Sequence, residues 1–209
     1  MIKALLRLWL NHIRDHIVLY VITIFMFLAG SSLGAFTIST LNASQSQELV
    51  DYFNSFLMGL AYWDVNSVII VQDAIFNSLT FIFFIWALGL TVIGIPIILL
   101  IVAFKGFIMG FTVGFLIFQK GFTGMLIAIF AILPQNFFYV PILIICAVAA
   151  ITFSLSLLRG TVGGRKLAFS HMFINYILLL VVFCFFTIMG GLIEGYGAPL
   201  TMQIIITYF

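Results

Sequence analysis

The sequence has very few charged residues, and this scarcity sets its class. Of the 209 residues, 7% are Asp, Glu, Lys or Arg and 65% are hydrophobic, whereas soluble domains carry charge on about a quarter of their residues. The composition therefore excludes a soluble globular domain and indicates an integral membrane protein. The net charge of +2 is too small to indicate a nucleic-acid partner.

Cysteine and catalytic groups are scarce as well. The two cysteines, Cys146 and Cys184, lie in apolar runs, which is typical of buried packing thiols and excludes a disulfide framework. His12 and His16 have the spacing of a zinc pair, but Ile13 stands where a zincin motif requires Glu, and the sequence offers no third ligand. Neither a serine triad nor a phosphate-binding glycine loop is present. We therefore expect no enzyme activity, no metal and no cofactor.

Long apolar runs predict an all-α fold, in which the whole chain, 1–209, forms one polytopic membrane domain. An apolar helix needs about 20 residues to cross the hydrocarbon core of a bilayer. Runs of this length cover 17–41, 74–102, 137–158 and 172–193, and the irregular region between 95 and 136 supplies a further crossing. The prediction is a transmembrane bundle of five spans.

Lys and Arg are distributed unevenly, which predicts the orientation. The arm 1–16 and the loop 159–170 each carry three of them, whereas the loop 42–73 carries none. Because cytoplasmic loops carry an excess of Lys and Arg, the arm and the loop 159–170 are expected in the cytoplasm, with 42–73 and the tail after Glu194 outside. The arm has no signal-peptide pattern and is typical of an amphipathic interfacial helix on the inner leaflet.

The region between 95 and 136 admits two interpretations. In the first, one kinked span covers 75–103 and the next runs from 106 to 133, which buries Gln119-Lys120 near the bilayer centre at a large cost in free energy. In the second, which we favour, the chain turns at GLTVIGIP and the third span covers about 96–119. Lys120 then anchors the outer end, and Lys105 either snorkels toward the cytoplasm or occupies a protein cavity.

In the second interpretation, 121–133 is too short to cross a bilayer and ends at Pro134-Gln135-Asn136. Pro134 removes a backbone donor, so a helix break is expected at these three residues. The segment is either a re-entrant half-helix that neighbouring spans shield, or it leads into a tight turn at the outer surface. Gln135 and Asn136 are expected to satisfy the freed backbone groups, and Asn136 to cap the next helix.

Glycines repeat at every fourth residue in two spans. Gly106, Gly110 and Gly114 share one helix face, and Gly30 and Gly34 form the same pattern in the first span. Such bare faces let helix backbones approach closely in membranes. The partner is either another helix of the same chain or a second subunit, which leaves a homo-oligomer open.

The external loop 42–73 contains a predicted amphipathic helix. Its apolar side includes Tyr52, Phe53, Phe56 and Leu57. This side either lies on the bilayer and the spans or forms the contact surface for an extracytoplasmic partner. Glu194, at the outer end of the last span, is expected to be an interfacial residue.

Four segments together resemble stage II sporulation protein M. They are HIRDHIVLYV, DYFNSF, LGLTVIGIPIILLIVAFKGFIMGFTVGFLIFQKG and LPQNFFYVPILI, in this order along nearly the whole chain. The resemblance implies a non-enzymatic scaffold in the septal membrane of the mother cell. The resemblance also implies that the scaffold is part of the forespore engulfment complex, where it recruits a peptidoglycan amidase and a lytic transglycosylase.

The chain departs from the wider family at one motif. That family often carries Pro-His-Gly and then Glu where this chain has Pro134-Gln135-Asn136 and Tyr139. The departure removes a histidine and an acid, and argues against proton chemistry at the break.

A small membrane transporter or permease component is the rival hypothesis. Intramembrane charges and broken helices mark transport sites, so Lys105 and the segment 121–136 are the candidate path. No inverted repeat is visible in the sequence, which favours the scaffold.

The distribution of Lys and Arg generates a test of topology. In a cysteine-free variant, single cysteines at Ser46 and Thr201 are expected to react with an impermeant thiol reagent in intact cells, because both positions are predicted outside. A cysteine at Thr161 is expected to stay unlabelled until the membrane is permeabilised. Labelling of Thr161 in intact cells would contradict the orientation.

Overall fold

The described part of the chain is almost entirely helical. The computed structural model describes residues 14–62, 67–162 and 169–197, and within them it contains no strand. Six α-helices and two π-helical segments form in this order: α1 Ile17–Ile38, α2 Ala43–Tyr62, α3 Ser67–Gly89, α4 Gly94–Ile127, π1 Ala128–Ile132, α5 Leu133–Val162, α6 Phe169–Leu192 and π2 Ile193–Gly197. The predicted all-α class is confirmed. Most of the predicted interfacial arm, 1–13, lies outside the described residues.

Four apolar helical stretches are long enough to cross a membrane. They are Ile17–Ile38, Val71–Gly89, Gly94–Leu158 and Phe173–Gly197. The third has 65 residues, about three times the length that one crossing needs. It folds back on itself at Gly121 and supplies two crossings, so the bundle has the five spans that the sequence predicts.

The fold-back at Gly121 is a tight reversal inside one apolar stretch. Gly121 has φ 55° and ψ −124°, a conformation that residues with a Cβ rarely adopt. Beyond it, Gly124 packs directly on the Leu116 carbonyl, and Leu116 clusters with Ala128 and Ala131. A straight helix would hold Leu116 and Ala131 about 22 Å apart. Residues 122–132 therefore run antiparallel to the part of α4 that precedes Gly121.

The structure corrects the position and nature of the predicted break. Pro134, Gln135 and Asn136 lie inside the first turns of α5, so the helix is not interrupted there and Asn136 is not its cap. The irregularity is π1, where the Leu133 N–H reaches the Ala128 carbonyl five residues back. Pro134 has no N–H and therefore cannot donate an ordinary α-helical hydrogen bond. The wider π-helical turn lies just before it in the chain. The segment 121–133 joins α5 as the second arm of the hairpin and is not a separate re-entrant half-helix.

The turn between α3 and α4 confirms the second interpretation of the middle region. The chain turns at 90–93, and Pro96 lies in the first turn of α4, where its missing N–H is tolerated. The fully buried Ser154 hydroxyl donates to the Thr91 carbonyl at 2.8 Å and fastens this turn to α5. The sequence-predicted span of 74–102 is therefore two helices.

The two glycine faces pack against each other within one chain. A Cβ at Gly106 or Gly110 would overlap the carbonyl of Phe27 or Ser31 on α1. Reciprocally, Gly30 and Gly34 lie on the carbonyls of Ala103 and Phe107 on α4. The backbones are thus in direct contact, as small-residue faces permit in membranes.

The register of this contact gives the direction of the helices. Phe27 lies on Gly106, Ser31 on Gly110 and Ala35 on Gly114, so both numbers rise together and α1 is parallel to α4. Helices α3 and α5 return in the opposite direction through the turns at 90–93 and Gly121. The C-terminal end of α1, at Ile38, and the part of α4 just before Gly121 therefore lie on the same side of the bundle.

Helix α2 is attached to that side. The Gln119 amide donates to the Ser46 hydroxyl at 2.9 Å and ties the start of α2 to the end of α4. Of the four predicted partner-contact residues, Tyr52 is 76% exposed; the side chains of Phe53, Phe56 and Leu57 lie outside the described residues. The loop predicted at 159–170 is shorter than expected, because α5 extends to Val162 and α6 begins at Phe169.

The helix interface predicts a graded response to added methyl groups. Gly110→Ala should lower the free energy of unfolding by about 3 kcal/mol, because the new Cβ would overlap the Ser31 carbonyl and the backbones must separate. Gly114→Ala is the matched control. Its Cβ would meet Ala35 Cα at 3.2 Å, which a small shift relieves, and the gain of about 1 kcal/mol in helix propensity offsets that shift.

Unfolding of the purified protein by a denaturing detergent measures both changes. Equal stability of the two alanine variants would contradict the close packing of α1 on α4.

Candidate polar cavity

A polar cavity of about 370 Å³ lies between the spans. Helices α3, α4 and α5 form its walls, Phe27 of α1 and Ile132 of π1 contribute one side chain each, and Glu194 of π2 reaches it from the end of the last span. Its polar lining consists of Asn77, Ser78, Lys105, Thr112, Gln135, Asn136, Tyr139 and Glu194. In a chain with 7% charged residues, this is a marked concentration of polar groups.

Lys105 is placed by the glycine face of its own helix. Gly106 faces α1, and the preceding residue is turned by about 100° around α4, which brings Lys105 to the cavity beside α3. Its Nζ lies 4.3 Å from the centre of the Phe81 ring, a cation–π contact. Of the two expectations for Lys105, the protein cavity is the one that the structure contains.

Glu194 reaches the same cavity from the far end of the chain. The last span packs closely on its neighbours, and a Cβ at Gly190 would lie 2.9 Å from the Tyr139 ring. One turn further, Glu194 faces Tyr139 and interacts electrostatically with Lys105 across the cavity. The sequence-based view of Glu194 as only an interfacial residue is therefore incomplete.

Two polar atoms of the lining, the Tyr139 hydroxyl and Gln135 Oε1, make no hydrogen bond of ordinary geometry. The Tyr139 hydroxyl nevertheless lies close enough to Ser78 and Glu194 to interact with both, whereas Gln135 Oε1 is buried without a donor. By contrast, Asn136 Nδ2 donates to the Ile132 carbonyl at 2.9 Å. Only Asn136 therefore satisfies a backbone group as predicted, whereas Gln135 presents an unused acceptor.

The cavity is bordered by the hydrophobic core and by exposed polar residues. The core residues Ile98, Val102 and Ala147 are completely buried and cluster with Ile82 and Leu143, which line the cavity. Between α3 and α4, the lining residues Asn77 and Thr112 are exposed and mark a mouth.

The sequence pointed to some members of this site and missed others. The structure brings together Lys105, Gln135, Asn136 and Glu194, while Pro134 is exposed and the five glycines lie in the α1–α4 interface. Sequence reasoning missed Asn77 and Ser78. Their signal was available, because adjacent polar residues inside an apolar span are functional candidates by default.

The lining can bind polar groups, but it lacks the parts of a hydrolytic site. The described residues contain no group of three His, Cys, Asp or Glu that could hold a metal ion. The cavity has one amine and one carboxylate, without a nucleophile held by a base. Its chemistry is therefore hydrogen bonding and charge pairing.

Comparison with known families decides the assignment. The family model described as stage II sporulation protein M matches residues 23–199. The chain belongs to the stage II sporulation protein M family. The match covers most of the chain and every residue of the cavity lining. Comparison with curated proteins and with solved structures gives no significant match.

Membership in the stage II sporulation protein M family makes this chain a sporulation membrane protein. The family is not a known enzyme family. The several apolar helices are those of a multi-pass membrane protein.

Two tyrosines with buried hydroxyls give a matched test of the cavity geometry. Tyr139→Phe should change the free energy of unfolding by less than about 0.5 kcal/mol, because its hydroxyl makes no hydrogen bond of ordinary geometry with Ser78 or Glu194. Tyr176→Phe should lower it by about 1 kcal/mol, because the Tyr176 hydroxyl donates to the Trp86 carbonyl at 2.8 Å. Both substitutions keep the ring, so unfolding in detergent isolates the hydroxyl. A larger loss for Tyr139→Phe would contradict an unpartnered hydroxyl.

Proposed function

We propose that this protein is a non-enzymatic membrane scaffold that recruits or organises peptidoglycan-degrading enzymes during forespore engulfment. The observation that carries the proposal is the match to the stage II sporulation protein M family over residues 23–199. The partners we propose are a peptidoglycan amidase and a lytic transglycosylase. The site of action is the septal membrane of the mother cell.

The bundle has features that suit a scaffold. Its spans are joined by direct backbone contact between α1 and α4, and the turns on each side are fastened by Ser154 and Gln119. Such an arrangement holds the external segments in a fixed relation. A binding surface on a rigid support orders less on association and therefore loses less entropy.

The docking surface we propose is the apolar side of α2. With the N-terminus in the cytoplasm and the C-terminus outside, α2 lies outside, where wall enzymes act. Tyr52 is 76% exposed although it is a large aromatic residue, and aromatic residues are enriched among the anchors of protein interfaces. The sequence pattern predicts that Phe53, Phe56 and Leu57 extend the same side.

A second candidate function is a small transporter or permease component. The polar cavity with Lys105 and Glu194 favours it, since intramembrane charges mark substrate sites. The completely buried core around Ile98 and Val102, which lies between the 90–93 turn and Lys105 along α4, argues against an open path. The segment 121–136 is also a packed hairpin arm with π1 rather than a broken span.

Photo-cross-linking in sporulating cells tests the scaffold. A photoreactive residue at Tyr52 or Phe56 is expected to cross-link to the amidase or the transglycosylase, because both positions lie on the proposed docking side. The control is Asp51, an exposed residue of α2 that helical periodicity places on its polar side. Tyr52→Asp should reduce recovery of both enzymes with the purified complex by about tenfold, the effect of losing about 1.4 kcal/mol at an interface.

Cross-links from Asp51 alone would contradict the docking side. Substrate or ion flux through liposomes that contain the pure protein, together with no hydrolase capture, would overturn the scaffold in favour of the transporter.

A further inference from the structure

We propose that the cavity between α3, α4 and α5 binds a zwitterionic ligand that carries an ammonium group and an anionic group, of which the lipid headgroup phosphoethanolamine is the source we favour. The inference rests on the cavity and is independent of the scaffold function.

The charges of the lining determine the charge of the ligand. One cation, Lys105, and one anion, Glu194, face the cavity, and the other polar groups are amides and hydroxyls. Burial of an uncompensated charge costs several kcal/mol even after relaxation. A ligand with one charge of each sign pairs with both residues and leaves the site neutral.

The two charged residues are available for such a ligand. Both residues line the cavity and interact electrostatically across it. The Lys105 ammonium contacts the face of the Phe81 ring. An ammonium that contacts an aromatic face still has N–H groups to donate. A phosphate or carboxylate oxygen can therefore accept from Lys105.

The unpartnered acceptor locates the other end of the ligand. Gln135 Oε1 is buried without a donor and lines the same cavity as Glu194. A primary ammonium has three N–H groups and can donate to the carboxylate and to this amide oxygen together. The Tyr139 hydroxyl lies near Glu194 in the same cavity and adds a further polar group for the ligand.

The shape of the cavity favours a lipid over a free solute. Its volume of about 370 Å³ is at the lower end of the range of small-molecule sites, about 300–1,000 Å³. The mouth lies between two membrane-spanning helices, and the exposed apolar Ile108 lies at the lining beside Thr112. A headgroup can enter there while its acyl chains stay in the bilayer.

Native mass spectrometry of the full-length protein, released from nanodiscs of equal lipid content, tests the proposal. The probes are phosphatidylethanolamine, phosphatidylcholine and phosphatidylglycerol. The wild type should retain phosphatidylethanolamine about tenfold more than phosphatidylglycerol, because only the former has an ammonium for Glu194. Phosphatidylcholine should be retained less than phosphatidylethanolamine, since its quaternary ammonium has no N–H.

Two isosteric variants separate the two ends of the ligand. Glu194→Gln should lower retention of phosphatidylethanolamine about tenfold and leave phosphatidylglycerol unchanged. Lys105→Gln should lower retention of both lipids. Lys120→Gln is the matched control, because Lys120 is exposed at the end of α4 before the Gly121 turn.

A soluble arm distinguishes the source of the headgroup. Free phosphoethanolamine and glycine, added at millimolar concentration, should not displace the lipid if the bilayer supplies the ligand. Displacement that depends on Lys105 and Glu194 would assign the site to a small soluble zwitterion instead. Equal retention of the three lipids by the wild type, with no binding of either soluble zwitterion, would overturn the proposal without any variant.

Discussion

The backbone contact between α1 and α4 is the constraint on which the rest of the structure depends. Lipid tails are as apolar as helix surfaces, so burial of apolar side chains does little to drive the association of membrane helices. Close packing of the helices must provide the stabilisation instead. Gly106 and Gly110 on one helix, with Gly30 and Gly34 on the other, let carbonyls lie where side chains would otherwise be. The pair is parallel, and it therefore fixes which face of α4 remains for the other helices.

The position of the polar cavity follows from the packing of α1 on the glycine face of α4. With the glycine face of α4 turned to α1, Lys105 is directed to α3 and meets Phe81. The hairpin at Gly121 then returns the chain so that Gln135 and Tyr139 face the lysine, and the last span adds Glu194. The core of Ile98, Val102 and Ala147, which clusters with Ile82 and Leu143 of the lining, is completely buried. A rigid scaffold and a ligand pocket are thus compatible in one bundle.

The sequence predicted periodic features well and single-residue geometry poorly. The class, the five spans, the turn before Pro96 and the two glycine faces all follow from repeated patterns that many residues share. The break was placed at Pro134, because proline is the usual interrupter, yet proline in the first turn of a helix is tolerated. The sequence placed the end of the third span at about 119, before Lys120, but it did not predict the tight reversal there, which depends on the positive φ of Gly121. Glu194 lies in the site because residues far apart in the sequence pack together, and a local sequence pattern does not predict such packing.

A disulfide between α1 and α4 tests the parallel pairing within one chain most directly. A Cβ at Gly114 would lie 3.4 Å from the Ala35 Cβ, close to the range of about 3.5–4.5 Å that disulfides span. With Cys146 and Cys184 replaced by alanine and a protease site inserted between α1 and α2, oxidised Ala35→Cys/Gly114→Cys should keep its two fragments joined until reduced. The pair Phe36→Cys/Gly114→Cys, with Phe36 67% exposed, should separate without reductant. Fragments that separate in both variants, or a disulfide that joins two chains, would contradict the account.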